Sequence, residues 1–179
     1  MNDPYRVCFV CLGNICRSPT AEGIMAALVA EAGWSERIEV HSAATSEWHT
    51  GKLPDERARA EARRRGLELT SRASTFRPGD AGFYDLVLAM DATNLSDLLA
   101  RSEPRHHERI RLVREFDPAG GPFDVPDPWA GGEAGFREVY DMLDAACRGL
   151  LATLVQDVGE ERAPAADLPG TIGDDTTTL

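Results

Sequence analysis

The segment RVCFVCLGNICRSPTAEGIMAALVAEAG, residues 6–33, decides the fold because a strand, a short loop and a helix follow one another without a gap. Residues 6–11 are apolar and rich in β-branched and aromatic side chains, which is typical of a strand buried on both faces. Apolar residues then recur at helical spacing over 24–29. We predict a helix that Ser18 caps, with Pro19 in its first position.

The same alternation of strand and helix continues along the chain, with a loop rich in Pro, Gly and Asp at residues 117–132. This order implies an α/β fold, in which a parallel sheet is covered by helices on both faces. Ligands of such sheets bind at the carboxyl ends of strands, which is where the first loop lies. The further predicted strands are 38–43, 84–90 and a weaker 109–116, and the further predicted helices are 54–66, 91–102 and one marked by apolar residues from Phe136 to Leu154.

The totals of the 179-residue chain, with 42% hydrophobic residues, indicate one domain with a sizeable core. A formal net charge of −11 argues against nucleic acid or an anionic membrane as partners. No apolar run approaches the ~20 residues of a membrane span, and the N-terminus does not resemble a secretory signal. We expect a cytoplasmic protein, with secretion by a signal-less route left open. The domain is predicted at 1–158, followed by a disordered acidic tail at 159–179.

The loop CLGNICRSP, residues 11–19, has the composition of an anion site. A loop between strand and helix directs backbone N–H groups at one point, where the helix N-terminus adds about half a positive charge. Gly13 and Asn14 tolerate the backbone geometry of a curled nest, and Arg17 can grip two phosphate oxygens at once. The same field favours the thiolate form of Cys11, which would then lie beneath a bound phosphoryl group as a nucleophile.

Three other interpretations of this loop stay open on the residues alone. Cys8 and Cys11 have the spacing of half a metal site, although no second pair follows. A thioredoxin-like redox pair would lie between strand and helix, whereas Cys8 lies inside the strand. A purely structural turn is the third. Cys8 and Cys147 are predicted to be small buried hydrophobes. The role of Cys16 stays open, and one candidate role is a transient disulfide with Cys11 that shields the nucleophile from over-oxidation.

The motif FVCLGNICRSPTAE, residues 9–22, resembles the signature of the low-molecular-weight protein tyrosine phosphatases, whose hallmark is Cys-X5-Arg-Ser near the N-terminus. HSAATSEWHTG, DLVLAMDATNL and VPDPW fall where that family has related segments. The resemblance covers residues 5 to about 157. Among the bacterial members, the sequence is similar to the actinobacterial type. It implies a three-layer α/β/α fold of the phosphotyrosine protein phosphatase I type, with a four-stranded parallel sheet in the order 2-1-3-4.

The resemblance implies hydrolysis of protein phosphotyrosine, with Cys11 attacking phosphorus to give a phosphocysteine. Arg17 would clamp the phosphoryl oxygens, and Ser18 would donate a hydrogen bond to the Cys11 thiolate. Asn14 and Ser42 would hydrogen-bond to each other and fix the shape of the loop. The substrate-binding residues implied are Leu12, Gly13, Asn14, Ile15, Cys16, Ser18, Trp48 and Trp129.

Asp127, which precedes Pro128, would be the general acid that protonates the leaving phenol and then the base that activates water. On the residues alone it ranks only slightly above Asp124 or Asp117. Trp48 and Trp129 would form aromatic walls around the substrate ring. Asp91 is predicted to cap its helix and to support the site through other residues. Nothing in the sequence places the four histidines at the site, and they are predicted to be surface or strand residues rather than catalytic ones: His41, His49, His106 and His107.

The implied partners are a phosphotyrosine protein as substrate and inorganic phosphate as product, for a chain acting as a monomer without cofactor or metal. Three alternatives are weighed. A thiol-dependent arsenate reductase needs two more cysteines mid-chain, and none lies between Cys16 and Cys147. A phosphoarginine phosphatase tends to carry Thr where Ile15 stands, and a non-catalytic phosphotyrosine-binding module would lose the thiol or the acid.

Three features depart from the family pattern. Ala130 stands where a second aromatic usually follows Trp129, and this opens one side of the cleft. The family often has His where Ser71 or Arg72 stands in TSRAST, so a structural hydrogen bond is either lost or remade. The chain also continues beyond the last helix as the tail described above.

Overall fold

The structure, a computed structural model, describes residues 3–160 and is built on a central sheet of four strands. The strands pair only in parallel and lie in the order β2-β1-β3-β4, which confirms the predicted sheet and its order. They are β1 (Tyr5–Cys11), β2 (Ile38–Ala44), β3 (Leu86–Ala89) and β4 (Ile110–Leu112).

Four α-helices cover the two faces of this sheet, and three short 3₁₀ helices lie in its connections. The α-helices are α1 (Arg17–Glu31), α2 (Glu56–Arg64), α3 (Ala92–Ala100) and α4 (Glu133–Glu160). The 3₁₀ helices span Asp80–Gly82, Pro104–Arg109 and Val113–Phe116.

Alternation along β1 divides the core into two layers. Val7 and Phe9 pack with the buried residues of α1, α2 and α4, whereas Cys8 and Val10 pack on the other face with residues such as Leu98 of α3. All four of these strand side chains are fully buried. Over residues 7–11 the strand β1 therefore has a buried apolar side chain at every position, as expected for a parallel sheet covered on both faces.

The pairing register brings the carboxyl ends of the strands together. Cys11 pairs with Ala44 at the ends of β1 and β2, and the N–H of Met90 donates to the carbonyl of Val10 at 3.2 Å. The loops that leave these three strands therefore begin at one edge of the sheet. This edge holds the loop that follows Cys11.

Two local predictions are corrected by the structure. Helix α1 begins at Arg17 with Cys16 as its N-cap, and no side chain caps it, so the predicted Ser18 cap is wrong. The Ser18 hydroxyl faces the loop that precedes the helix, as described below. The last strand ends at Leu112, because its N–H donates to the Glu115 side chain at 2.9 Å and the chain turns into the 3₁₀ helix Val113–Phe116.

Helix α4 packs closely against Phe116, which immediately precedes the loop at residues 117–132. A β-carbon added to Gly149 would overlap the carbonyl oxygen of Phe116, so only glycine permits this approach. The helix extends to Glu160, two residues past the predicted domain boundary. The rest of the predicted tail lies outside the described residues. Within 3–160, no helix is both long and apolar enough to cross a membrane.

Candidate active site

The loop between β1 and α1 turns its carbonyl groups outward. The carbonyl oxygens of Cys11, Leu12 and Ile15 accept backbone N–H groups of Thr45, Ser46 and Asp55 respectively, at 2.7 to 3.0 Å. Peptide units that point their carbonyl groups outward in such a curl leave N–H groups facing its interior. The loop therefore has the form of a nest for an anion, at the N-terminus of a helix.

The sulfur of Cys11 lies at the floor of this loop. The Oγ of Ser18 is 3.0 Å from it, and the backbone N–H of Asn14 donates to it at 3.2 Å. Cys11 is 3% exposed and Ser18 is fully buried. The Ser18 hydroxyl and the Asn14 N–H are both placed to donate hydrogen bonds to a thiolate, and the thiolate is the form of cysteine that acts as a nucleophile.

The side chain of Asn14 holds the loop in its curled shape. Its Nδ2 donates to the Oγ of Ser18 at 2.8 Å and to the Oγ of Ser42 at 2.9 Å, so the structure contains the predicted Asn14–Ser42 bond. Its Oδ1 accepts the N–H of Ser74 at 3.0 Å. Asn14 is the one non-glycine residue among the described ones with positive φ, at 54°, which asparagine tolerates better than most residues.

Two residues of this network were not predicted. Glu22, one turn into α1, accepts a hydrogen bond from the Oγ of Ser42. Ser74 belongs to the segment in which the family often has His, and here its backbone N–H makes the contact to Asn14. That segment therefore contacts the loop through a backbone N–H, which leaves no sequence signal.

Arg17 is only 2% exposed and is fixed by two acceptors. Its Nη1 donates to Asp91 Oδ2 at 2.6 Å and to the carbonyl of Val125 at 3.0 Å. The other carboxylate oxygen of Asp91 accepts the N–H of Asn94, so Asp91 both caps α3, as predicted, and holds the guanidinium group. The Nη2 of Arg17 lies 3.6 Å from Asp127 Oδ2.

The three aspartates that the sequence ranks only slightly apart have different surroundings. Asp117 is buried and pairs with Arg114 at 3.2 Å, and Asp124 accepts the N–H of Ala92 at 3.0 Å. Both therefore stabilise the chain locally. The Asp127 side chain is 45% exposed, and its Oδ1 accepts the N–H of Trp129 at 3.0 Å while Oδ2 faces Arg17.

A cleft of about 250 Å³ opens above the loop and is lined by Cys11, Arg17 and Asp127 together with the expected tryptophans. Trp48 is 72% exposed and Trp129 is 52% exposed, so neither side chain is buried in the core. The remaining lining residues are Leu12, Gly13, Ile15, Cys16 and His49.

His49 also lines the cleft, although nothing in the sequence placed it at the site. Its ring is 5.9 Å from that of Trp129, and a β-carbon on Gly13 would come within 2.9 Å of its Cδ2. Its Nδ1 lies 3.4 Å from the Nζ of Lys52. Glycine at position 13 thus lets an imidazole pack on the loop, and no spacing rule in the sequence predicts this contact.

All four cysteines are unpaired and buried. Burial raises the pKa of Cys16 to about 12 and raises that of Cys8 and Cys147 further, so these three thiols stay protonated at neutral pH. Within residues 3–160, no three His, Cys, Asp or Glu side chains are grouped so that they could hold a metal ion.

The comparisons with known proteins agree with this geometry. The sequence pattern of the family "Low molecular weight phosphotyrosine protein phosphatase" matches residues 6–160. A low molecular weight protein-tyrosine-phosphatase of Streptomyces coelicolor is 46% identical over 158 residues, which cover 86% of this chain and 96% of that protein.

Two solved structures extend the comparison. A protein tyrosine phosphatase from Entamoeba histolytica superposes with a TM-score of 0.83 at 34% identity, covering 86% of this chain and 99% of that one. A Drosophila arginine phosphatase superposes with a TM-score of 0.76 at 28% identity, covering 82% and 96%. The chain therefore belongs to the low molecular weight phosphotyrosine protein phosphatase family.

Proposed function

We propose that this phosphatase hydrolyses phosphotyrosine in proteins through a phosphocysteine on Cys11, with Asp127 as general acid and base. One observation carries the proposal: the buried sulfur of Cys11, the fixed guanidinium of Arg17 and the carboxylate of Asp127 line the same cleft. A nucleophile, an anion clamp and a proton donor are the three groups that this displacement requires.

In the first step, the phosphoryl group enters the nest and the N–H groups of the loop bind its oxygens. The Nη1 of Arg17 is engaged by Asp91 and Val125, so we infer that its Nε–H and Nη2–H groups face the substrate. The Cys11 thiolate forms the S–P bond as the P–O bond to the ring breaks. Asp127, in its protonated form, gives its proton to the departing oxygen. The proton is needed because a phenol has a pKa of ~10, so its phenolate is a poor leaving group at neutral pH.

In the second step, the Asp127 carboxylate takes a proton from a water molecule whose oxygen attacks phosphorus. The S–P bond breaks, and inorganic phosphate and the Cys11 thiolate result. Ser18 and the N–H of Asn14 support that thiolate with the two hydrogen bonds described above. Oriented donors that need no rearrangement stabilise charge well in such a site.

The walls of the cleft support an aryl phosphate as substrate. Trp48 and Trp129 are exposed aromatic rings on the lining, and flat rings of this kind pack well against a phenol ring. Ile15 adds an apolar side chain to the same lining. A phosphoarginine substrate would bring a cationic, hydrogen-bonding group to this position, which these side chains match less well.

The test compares two variants with the wild-type chain on two substrates, a phosphotyrosine peptide and p-nitrophenyl phosphate. We expect Cys11→Ser to abolish turnover of both while phosphate binding persists. We expect Asp127→Ala to slow the phosphotyrosine peptide by about 10²–10⁴-fold and p-nitrophenyl phosphate far less, because the second leaving group needs no proton. Normal turnover by Cys11→Ser, or equal losses on both substrates for Asp127→Ala, would contradict the mechanism.

A phosphoarginine peptide in the same assay separates the alternatives. If the chain prefers the phosphoarginine peptide to phosphotyrosine, its activity is that of a phosphoarginine phosphatase, as the name of the Drosophila enzyme states for that protein. Binding without turnover of either peptide would indicate a binding module.

We also propose that the protein acts as a monomer in a reducing compartment such as the cytoplasm. The residues of one chain complete the cleft, and all four cysteines are free thiols, as an enzyme with a thiolate nucleophile requires. The physiological phosphoprotein can be sought by trapping with Asp127→Ala, which is expected to retain bound substrate.

A further inference from the structure

We propose that Arg57 is a positioning residue for the general acid: it fastens the downstream end of the acid loop, residues 124–132, to helix α2 and through it to the phosphate loop. This inference rests on the proposed function of Asp127. The Arg57 side chain lies outside the catalytic cleft and acts on Asp127 only through the backbone that carries it.

Arg57 makes two hydrogen bonds to the chain just after Asp127. Its Nη1 donates to the carbonyl oxygen of Trp129 at 3.2 Å and to that of Gly131 at 3.1 Å. Its guanidinium also lies 5.6 Å from the centre of the Trp129 ring, within the range of a cation–π contact. The residue two positions after the acid is thus held at both its backbone and its side chain.

The other side of the guanidinium is tied to Asp55. Nε donates to Asp55 Oδ1 at 3.0 Å and Nη2 donates to Oδ2 at 3.1 Å, which is the paired geometry that arginine makes with a carboxylate. These bonds hold the pKa of Asp55 below its ordinary value. Because both oxygens of Asp55 are used, the orientation of the guanidinium plane is set before the acid loop meets it.

Asp55 is in turn anchored to the phosphate loop. Its backbone N–H donates to the carbonyl of Ile15 at 2.7 Å, and its side chain caps α2 by accepting the N–H of Arg57 at 2.9 Å. A continuous path of short contacts therefore runs from the loop that holds the nucleophile to the loop that holds the acid. The Arg57 guanidinium also packs on the ring of Phe136, a buried residue of α4, with 4.6 Å between its Cζ and the ring centre.

The upstream end of the acid loop is fixed independently. Asp124 accepts the N–H of Ala92, and Val125 binds both the carbonyl of Met90 and the guanidinium of Arg17. Asp127 lies between these anchors and the Arg57 clamp. Loss of the clamp would leave Asp127 tethered on one side only, and a displacement of about 1 Å is enough to cost about 10²-fold in a positioned catalytic step.

The test compares Arg57→Ala with Arg63→Ala, a matched control on the same helix whose arginine pairs with Glu56 at 3.0 Å and does not touch the acid loop in the described structure. We expect Arg57→Ala to lower kcat/KM for phenyl phosphate by about 10- to 100-fold and for p-nitrophenyl phosphate by much less. Arg63→Ala should leave both values unchanged. Alkylation of Cys11 by iodoacetate should proceed at the wild-type rate in both variants.

The decisive comparison repeats Arg57→Ala in an Asp127→Ala background. If Arg57 acts through the acid, its loss there should change kcat/KM by less than about twofold, because coupled residues are not additive. A full further loss in that background, or equal behaviour of the Arg57 and Arg63 variants, would overturn the proposal. A failure of the Asp127 assignment would appear separately, as an Asp127→Ala enzyme without leaving-group dependence.

Two further variants guard against a trivial loss of folding. Arg57→Lys keeps the charge but cannot bind Asp55 with two donors while reaching two carbonyls, so we expect a partial loss with a wild-type melting temperature. Full activity in Arg57→Lys would mean that charge alone suffices and would refute the clamp. Asp55→Asn should reproduce the leaving-group dependence of Arg57→Ala in weaker form.

Discussion

Replacing Asn14 by alanine should be among the most damaging single changes to the phosphate loop. The side chain is 2% exposed and makes three hydrogen bonds, to Ser18, Ser42 and Ser74. At about 1 kcal/mol each, they contribute about 3 kcal/mol. Alanine must also adopt the left-handed φ that asparagine tolerates, which costs about 1 kcal/mol more. We therefore expect the free energy of unfolding to fall by about 4 kcal/mol.

The assay is urea unfolding at neutral pH, with inhibition by inorganic phosphate as a second measurement on the folded variant. We expect phosphate to inhibit Asn14→Ala much less strongly than wild type, since the nest is no longer held open. Ser46→Ala is the control, because its exposed Oγ makes one hydrogen bond to the Leu12 carbonyl of the same loop, at 2.8 Å. A loss of stability below about 1 kcal/mol in Asn14→Ala, no larger than in the control, would refute the reasoning.

Three further outcomes follow from the structure. Trp48→Ala should raise KM for phenyl phosphate about fivefold with an unchanged melting temperature, since the ring is 72% exposed; an unchanged KM would remove it from the substrate site. Gly149→Ala should lower the urea midpoint although alanine favours helices, because its methyl group would overlap a carbonyl, whereas Gly135→Ala meets only ordinary contacts and should not. Burial raises the pKa of Cys16 from 9.0 to about 12. Between pH 9 and pH 12 the unfolded chain therefore loses this proton while the folded chain keeps it. The free energy of unfolding should fall by about 1.4 kcal/mol per pH unit in that range because of this thiol. Cys16→Ala should show a correspondingly flatter decline of stability between pH 9 and 11.

The parts of the fold that the sequence predicted well are those whose signals are local. The strand ending at Cys11, the loop and the helix that follows are adjacent in the chain, and the spacing from Cys11 to Arg17 needs no distant partner to be noticed. The Asp91 cap was predicted for the same reason, because it precedes the helix that it caps. Ser18 failed as a cap because the helix begins one residue before it, at Arg17. Its hydroxyl instead accepts a hydrogen bond from Asn14 and lies 3.0 Å from the sulfur of Cys11.

The parts that were missed depend on contacts between distant segments. His49 reaches the cleft because Gly13 leaves room for its ring, and Ser74 acts through its backbone, which any residue possesses. Arg57 looks like one of several arginines on a polar helix until the carbonyls of Trp129 and Gly131 are placed beside it. Such contacts have no periodicity, so composition and spacing cannot reveal them.

The choice of the general acid shows how sequence and structure complement each other. On the residues alone, Asp117, Asp124 and Asp127 were nearly equal candidates. The structure gives the first a buried arginine partner and the second a backbone N–H at the start of α3, while the third faces the cleft. Family resemblance favoured Asp127 in advance, and the geometry supplies a physical reason for that choice.

Trapping the phosphocysteine tests the central claim most directly. Asp127→Ala should form the S–P bond readily with p-nitrophenyl phosphate, because that leaving group needs no proton, but hydrolyse it slowly, because no base activates water. After an acid quench, mass spectrometry of the digested protein should find a phosphoryl group on the peptide that carries Cys11. The account would be contradicted if no such group accumulates, if it lies on a peptide without Cys11, or if it persists in the Cys11→Ser, Asp127→Ala double variant.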